Sequence, residues 1–375
     1  MHMPDNAGQY KIYCSLPSHF VLEAFETASC THDYSYKIFV RQSRRMRKLR
    51  KFMVIHNFTE FLPLTTDFQI EEEQINKLAP NEFLVKAEYI SVDPYMRSFA
   101  KGFQVPYEQF GFQVGKVKES RNAKFPVGAN VVSHAGWRDY AVLNDTPDDI
   151  FGIHPYIPDL GRLSPSLAIG ALGMTGLTAY LGLMEICRPK AGEVLVVTSA
   201  AGAVGSIAGQ IGKVLGCTVV GFTGSDRKVK LIKEEFGFDH AFNYKTGNAY
   251  HILKEFVPNG VDCFFDNVGG ELAGEIIRCM REYGRVANCG SISTYGDTTS
   301  SVKNIRTLVS VQIESFSFTQ WKPKHEATFK QLKAWLESGT IKAKETIVKG
   351  FEELPNTFAA MLKGDTVGKA VVKVL

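Results

Sequence analysis

The chain has 375 residues, which is material for two domains at about 100 to 200 residues each. Its 43 basic and 39 acidic residues leave a formal charge of +4, too small a surplus over this length to argue for a nucleic-acid partner. No apolar run approaches the ~20 residues that span a bilayer, and the amino terminus lacks the charged-then-apolar layout of a secretory signal. Seven cysteines (14, 30, 187, 217, 263, 279 and 289) form no C-x-x-C pair and read as reduced thiols of a cytoplasmic protein.

Residues 1 to 50 show no clear periodicity and end in a basic cluster from Arg41 to Lys51, which reads as a flexible, solvated extension. Asp5, Glu23, Glu26 and Asp33 count against a transit peptide, a class poor in acids. From 51 to 170 the signals are short strands and turns, with partial alternation over Glu82 to Ile90. From 171 onward strands and helices alternate in the manner of a parallel sheet.

The run Glu193 to Ser206 reads as a buried strand breaking into a glycine turn that opens a helix. Gly202 and Gly205 supply the x-G-x-x-G part of a dinucleotide fingerprint, with Ala200 in the place of the usual first glycine. Val204, Ile207, Ala208, Ile211, Val214 and Leu215 then fall at helical spacing, and Gly216 stops the helix before a strand from Thr218 to Phe222. A helix near 226–236 and strands at 241–244, 261–266, 285–289 and 311–318 continue the pattern. Each strand of this series ends in polar residues, and ligands of doubly wound sheets bind at those ends. A helix near 325–338, a strand near 346–349, a helix near 353–363 and a strand at 370–374 return to the first domain.

Gly173 to Tyr180, the turn Ala200 to Ser206, Phe242 to Lys245, Phe265 to Gly270 and Cys289 to Tyr295 together resemble the prostaglandin reductase 1 type of zinc-independent medium-chain dehydrogenase/reductase. Asp93 to Arg97 and Gly364 to Lys369 extend the likeness, which covers about residues 52 to 375. The resemblance implies an α/β fold in two parts: a GroES-like, partly β-barrel domain from residues 51–170 and 336–375, and a Rossmann doubly wound parallel sheet from 171–335. It also implies a homodimer joined through the Rossmann sheets, and NADPH-dependent reduction of carbon–carbon double bonds conjugated to a carbonyl. Lipid-derived enals and enones and 15-oxo-prostaglandins are candidate substrates. A quinone reductase of the same superfamily and an idle cofactor-binding protein of crystallin type remain open alternatives.

Zinc-dependent relatives carry a cysteine near Asp93-Pro94-Tyr95, a Gly-His-Glu where this chain reads Gly111-Phe112-Gln113, and a four-cysteine lobe. None of those ligands is present, and His134 and His154 have no partner at ligand spacing, so no metal is expected. Hydride addition to an enone spreads charge onto the carbonyl oxygen, which one positioned donor can stabilise. Tyr295 matches the family tyrosine near the nicotinamide ribose and the substrate carbonyl. It is assigned as that donor and proton source, with a rim tyrosine packing on the cofactor as the rival reading. Tyr95 is a candidate for the substrate wall, or simply packs.

No acid stands on the strand ending Phe222-Thr223-Gly224-Ser225, where an NAD site would place one. Ser225 or Asp226 can instead cap the next helix. Lys228 matches the family lysine for the 2′-phosphate and Tyr244 its neighbour, which points to NADP(H). The resemblance further implies cofactor contacts at Thr178, Gly202, Ala203, Val204, Gly205, Asn267, Cys289, Gly290, Ser291, Ile292, Ser293, Thr294, Phe316, Ser317, Phe318 and Thr366. Three departures bear on specificity: the segment 296–306 is shorter than the family's loop and lacks its prolines, Leu308 falls where the family has a tyrosine beside the substrate, and Thr366 replaces an asparagine.

Overall fold

Residues 20–26, 36–42, 47–59, 61–295 and 310–374 are described by the structure, a computed structural model. The chain divides into two compact units, residues 1–48 with 74–76 and residues 49–73 with 77–375. In the first unit Phe20–Glu26 and Tyr36–Gln42 pair antiparallel, from Phe20 opposite Gln42 to Glu26 opposite Tyr36. Both segments hold residues that favour strands, Phe, Val, Ile and Tyr among them. At seven residues each they are too short for a periodicity to stand out in the extension.

The second unit is built on two six-stranded sheets. In the parallel one the spatial order is His240–Asn243, Thr218–Thr223, Val194–Thr198, Val261–Asp266, Met280–Asn288 and Gln312–Ser315. Numbered along the chain this is 3-2-1-4-5-6, the doubly wound order. Its central strands are continuous apolar runs because helices cover both faces: Leu195, Val196, Val197, Phe264 and Phe265 are fully buried. The sequence direction reverses between Val194–Thr198 and Val261–Asp266, which pair Leu195 with Cys263 and Val197 with Phe265. A crevice at the carboxyl ends of that pair is where a doubly wound sheet receives its ligand.

The other sheet runs Glu345–Lys349, Lys369–Lys373, Phe83–Ser91, Gln113–Ser120 and Asn130–Ser133, with Tyr140–Leu143 also paired to Phe83–Ser91. The returning strand Lys369–Lys373 is inserted between a parallel neighbour and an antiparallel one, Val372 facing Val348 on one side and Ile90 on the other. Phe52, Val54, Ile90, Met96, Trp137, Phe351 and Phe358 form its core. Partly buried Tyr95 and Ile292 both pack on that core, one from the first half of the chain and one from a loop of the parallel sheet.

A backbone bridge joins the two sheets. The Gly368 N–H donates to the Ala201 carbonyl at 2.8 Å, and Gly368 bridges Gly202 in parallel. Gly368 has φ +63, and a Cβ there would lie 1.9 Å from the Lys344 carbonyl oxygen, so no other residue fits. The next residue, Lys369, buries its ammonium against Asp93 at 3.0 Å and donates to the Val92 carbonyl at 2.7 Å. Asp93 also accepts from Ser91 Oγ. Burial pushes Lys369 below its usual pKa while Asp93 opposes the shift.

Candidate active site

The strand Val194–Thr198 ends in Ser199 at φ +49, a left-handed turn that a residue other than glycine rarely adopts. This is how Ala200 can stand where a glycine is usual: the turn is made one residue earlier. Gly202 caps the helix Ala203–Val214 without a side-chain hydrogen bond, so the first backbone N–H groups, those of Ala203, Val204 and Gly205 among them, have no intrahelical acceptor. A Cβ at Gly205 would sit 2.4 Å from the Ser199 carbonyl oxygen, and one at Gly202 2.9 Å from Ser199 Oγ. A bare backbone rim at a helix amino terminus is a fit for a pyrophosphate.

Beyond the next strand lies a cationic corner. Lys228 Nζ donates to the Gly364 carbonyl at 2.7 Å, and its pKa is lowered first by burial and then by Arg227 and Lys245, with Asp365 pulling the other way. Tyr244 is partly exposed, and its hydroxyl would lie 3.2 Å from a Cβ at Gly224. Asp226 gives its carboxylate to Asn243 Nδ2 at 2.9 Å. Ser225 occupies the helix cap without a side-chain bond. A corner where Arg227 and Lys245 crowd one lysine is suited to an added phosphate. Thr366 is on the loop that carries Gly364 and Gly368, half-buried.

The switch point is stitched together by polar groups. Asp266 accepts from Thr198 Oγ1 at 2.8 Å and from the N–H groups of Val268 and Gly269, and burial still raises its pKa. Asn267 donates its N–H to Thr198 Oγ1 and its amide to the Thr198 carbonyl, both at 2.8 Å. The Asp266 carbonyl receives Cys289 and Gly290 N–H, and Val268 receives Ser293. The two strand-end loops holding Asn267 and Cys289, Gly290, Ser291, Ile292, Ser293 and Thr294 thereby form one rim. Burial and the nearby Asp266 push the Cys289 thiol up to about 12.

Tyr295 closes this rim. A Cβ at Gly290 would meet its hydroxyl at 2.8 Å, which puts the phenol over the end of the strand Met280–Asn288. Burial, Cys289 and Asp266 raise its pKa while a backbone hydrogen bond at Ser291 lowers it, so the phenol stays protonated at neutral pH and can donate.

Other expected contacts fall close by but are used in packing. Thr178 bonds back to the Met174 carbonyl at 2.7 Å within its helix. Phe316 packs on Phe265 and Trp321, and Phe318 stacks on His325 and touches Phe151. Ser317 caps a short turn through Thr319. Leu308 and all of 296–306 are outside the described residues.

The other sheet carries a chain of side chains that the sequence reading did not assemble. Tyr95 Oη and His134 Nε2 are 3.0 Å apart, and His134 Nδ1 is 3.6 Å from Asp148 Oδ1. His134 has a 2 % exposed side chain, and burial lowers its pKa to about 4. Residues 95, 134 and 148 are too far apart in sequence for spacing to reveal them. Asp93 and Lys369 are equally hidden. Among the described residues no group of three or more His, Cys, Asp or Glu side chains is arranged to hold a metal ion.

Residues 51–150 match the model of an N-terminal domain of oxidoreductases, and 203–338 that of a zinc-binding dehydrogenase. The chain is 41 % identical over 315 residues to prostaglandin reductase 1 of Oryctolagus cuniculus, covering 82 % of this chain and 88 % of that one. The chain belongs to the prostaglandin reductase 1 family. A second relative, the NADP(+)-dependent 2-alkenal reductase of Nicotiana tabacum, is 37 % identical over 86 % of this chain and 97 % of its own length. The crystal structure of CurA in complex with NADPH from Vibrio vulnificus superposes with a TM-score of 0.78 at 30 % identity, covering 87 % and 99 % of the two chains. The glycine turn, the corner around Lys228 and the loops holding Asn267 and Cys289 each follow the carboxyl end of a strand of the parallel sheet. The family's fold, a Rossmann sheet with a GroES-like sheet, is the fold observed here.

Proposed function

We propose that this chain uses NADPH to reduce the carbon–carbon double bond of α,β-unsaturated aldehydes and ketones. The observation that carries the reading is the Tyr295 phenol, a hydrogen-bond donor set beside Gly290 at the strand-end rim, with burial raising its pKa further. Gly202, Ala203, Val204 and Gly205 take the pyrophosphate, Lys228 and Tyr244 the 2′-phosphate, and Asn267 with 289–294 the nicotinamide half. Bound NADPH supplies the hydride that the β carbon of the substrate receives. As that carbon is reduced, negative charge develops on the carbonyl oxygen. Tyr295 donates a hydrogen bond to it and acts as proton source, with its high pKa suiting it better to donation than to full transfer. Tyr95 borders the substrate.

The apolar surroundings of Tyr95, with Phe99, Phe110 and Phe151 against its ring, suit hydrophobic substrates such as lipid-derived enals, enones and 15-oxo-prostaglandins, which supports a role in lipid metabolism. A homodimer in the cytoplasm is part of the same proposal. The edge strand Gln312–Ser315, with Ile313 44 % exposed, supports pairing through the parallel sheets. No helix of the described residues is long and apolar enough to cross a membrane. The test is an NADPH-oxidation screen across enals, enones, quinones and 15-oxo-prostaglandins with identification of products. Saturated carbonyl products support the reading. Turnover confined to quinones, or none at all, overturns it.

A further inference from the structure

Lys369 is a lysine buried to 3 % exposure whose ammonium is fully occupied by the protein. An ammonium has three N–H donors, and three acceptors surround it: Asp93 Oδ1 at 3.0 Å, the Val92 carbonyl at 2.7 Å and the Ala370 carbonyl at 3.0 Å. Asp93 is buried as well, and its other carboxylate oxygen accepts from Ser91 Oγ. Removing one member of such a pair strands a charge in the interior, whereas removing both charges together need not destabilise the fold.

The pair stands between two segments that belong to different sheets. On the Asp93 side the chain turns directly into the helix Tyr95–Phe99: the Asp93 carbonyl accepts from Met96 N–H at 3.2 Å and the Pro94 carbonyl from Arg97 N–H at 3.0 Å. On the Lys369 side the preceding residue, Gly368, donates to the Ala201 carbonyl of the glycine turn. Lys369 N–H is fixed on the Lys344 carbonyl at 2.9 Å, and Val367 is held at both its N–H and its carbonyl by Thr346 Oγ1. Two adjacent residues, one gripping the turn through its backbone and one gripping Asp93 through its side chain, therefore link the turn to the start of the helix.

We infer that Lys369 is a positioning residue: through its buried pair with Asp93 it couples the glycine turn to the helix Tyr95–Phe99, so that a nucleotide seated in the turn orders that helix and strengthens binding of the carbonyl substrate beside it. The inference rests on the double-bond reductase reading above, which puts the pyrophosphate at the turn and the substrate at Tyr95. A pyrophosphate held by the N–H groups that follow Gly202 restrains the same backbone that offers the Ala201 carbonyl to Gly368. Gly368 is restrained with it, and so is the register of Lys369 against Asp93. The ordering cost is then met by the first ligand and spared to the second, and by linkage each ligand strengthens the other by the same factor.

The probe is 2′-phospho-ADP-ribose, which carries the pyrophosphate and the 2′-phosphate but no nicotinamide ring to touch a carbonyl ligand. In the wild type it should slow amide exchange at Met96 and Arg97 and tighten equilibrium binding of 3-nonen-2-one by about fivefold, the low end of ordinary coupling between sites. In the double variant Asp93→Asn with Lys369→Met, which removes both charges at once, both effects should fall near one while 2′-phospho-ADP-ribose itself binds as before. A pair that serves folding alone would lower the melting temperature and leave the coupling intact, so coupling that survives in the double variant overturns the inference. So does unchanged exchange at Met96 and Arg97 in the wild type. Oxidation of NADPH with 3-nonen-2-one by the wild type tests the reductase reading separately: turnover without coupling removes the inference alone, and no turnover removes both. Should the double variant fail to fold, amide exchange in the wild type decides.

Discussion

Replacing Lys228 with alanine separates the 2′-phosphate from the rest of the cofactor. In the structure its ammonium is held by the Gly364 carbonyl at 2.7 Å, with Arg227 and Lys245 close enough to lower its pKa and Asp365 opposing them. A dianion placed there would relieve the repulsion and gain a charge-assisted hydrogen bond, worth about 1.5–3 kcal/mol. That range corresponds to roughly 10- to 150-fold in Kd. Arg227 and Lys245 survive in the variant and hold part of the phosphate's attraction, so the expected loss lies toward the lower end, about 10- to 40-fold for NADPH. NADH has no 2′-phosphate, and its Kd should change less than about twofold. Direct titration of both cofactors, followed by the fluorescence of the bound dihydronicotinamide, measures the two constants separately. The NADPH loss should persist at 0.5 M salt, because the partly buried corner is screened less than an exposed pair. Equal weakening of both cofactors, or unchanged NADPH binding, would refute the assignment of this corner to the phosphate.

Tyr295→Phe removes only the donor, so single-turnover hydride transfer with a saturating enone should slow on the order of 100-fold, or about tenfold if the cofactor ribose hydroxyl shares the role. An unchanged rate would rule out the assignment. Glu345 receives Ser166 Oγ on one oxygen at 2.7 Å, its other oxygen is buried without a partner, and burial raises its pKa. A raised folded-state pKa means that its contribution to stability is fully present below the unfolded value and is lost as pH rises through the folded one. Glu345→Gln should therefore gain stability relative to the wild type between pH 4 and pH 8 in urea unfolding, and a pH-independent difference would contradict the argument. Deleting residues 1–48 should leave melting temperature and enone turnover nearly intact. A large fall in either would show that the extension supports the rest of the chain.

The parallel sheet was legible because its signals are local. The strand, turn and helix from 193 to 215 and the alternation that follows are each written within one short window, and the strands at 218–223, 240–243 and 261–266 form where those signals predict. Lys228 and Tyr295 were singled out by motifs of the family resemblance, and in the structure burial is the largest influence on the pKa of each. The left-handed turn at Ser199 was not legible, because serine carries no conformational signature of the kind glycine does. Nor were the pairs Asp93 with Lys369 and Tyr95 with His134, which arise from sheet closure between distant segments. A lone histidine after a short strand gives no sign of which carboxylate or phenol the fold will bring to it. The partial alternation over Glu82–Ile90 foretold a strand, but not that its neighbour would be Lys369–Lys373.

That late partner shapes how the chain must be born. Ile90 pairs with Val372, roughly 280 residues further along, and at about 5–20 residues per second a ribosome needs some tens of seconds to make the interval. Throughout that time the strand Phe83–Ser91 has no Lys369–Lys373 beside it, and Asp93 has no Lys369 to neutralise it. The doubly wound portion, by contrast, has all six of its strands once Ser315 has been made. Synthesis therefore favours an order in which the inserted sheet matures first and the surrounding one is sealed afterwards. Until then the waiting edge presents unpaired backbone groups, and codon changes that slow the ribosome between residues 320 and 370 should increase aggregation without altering a single side chain.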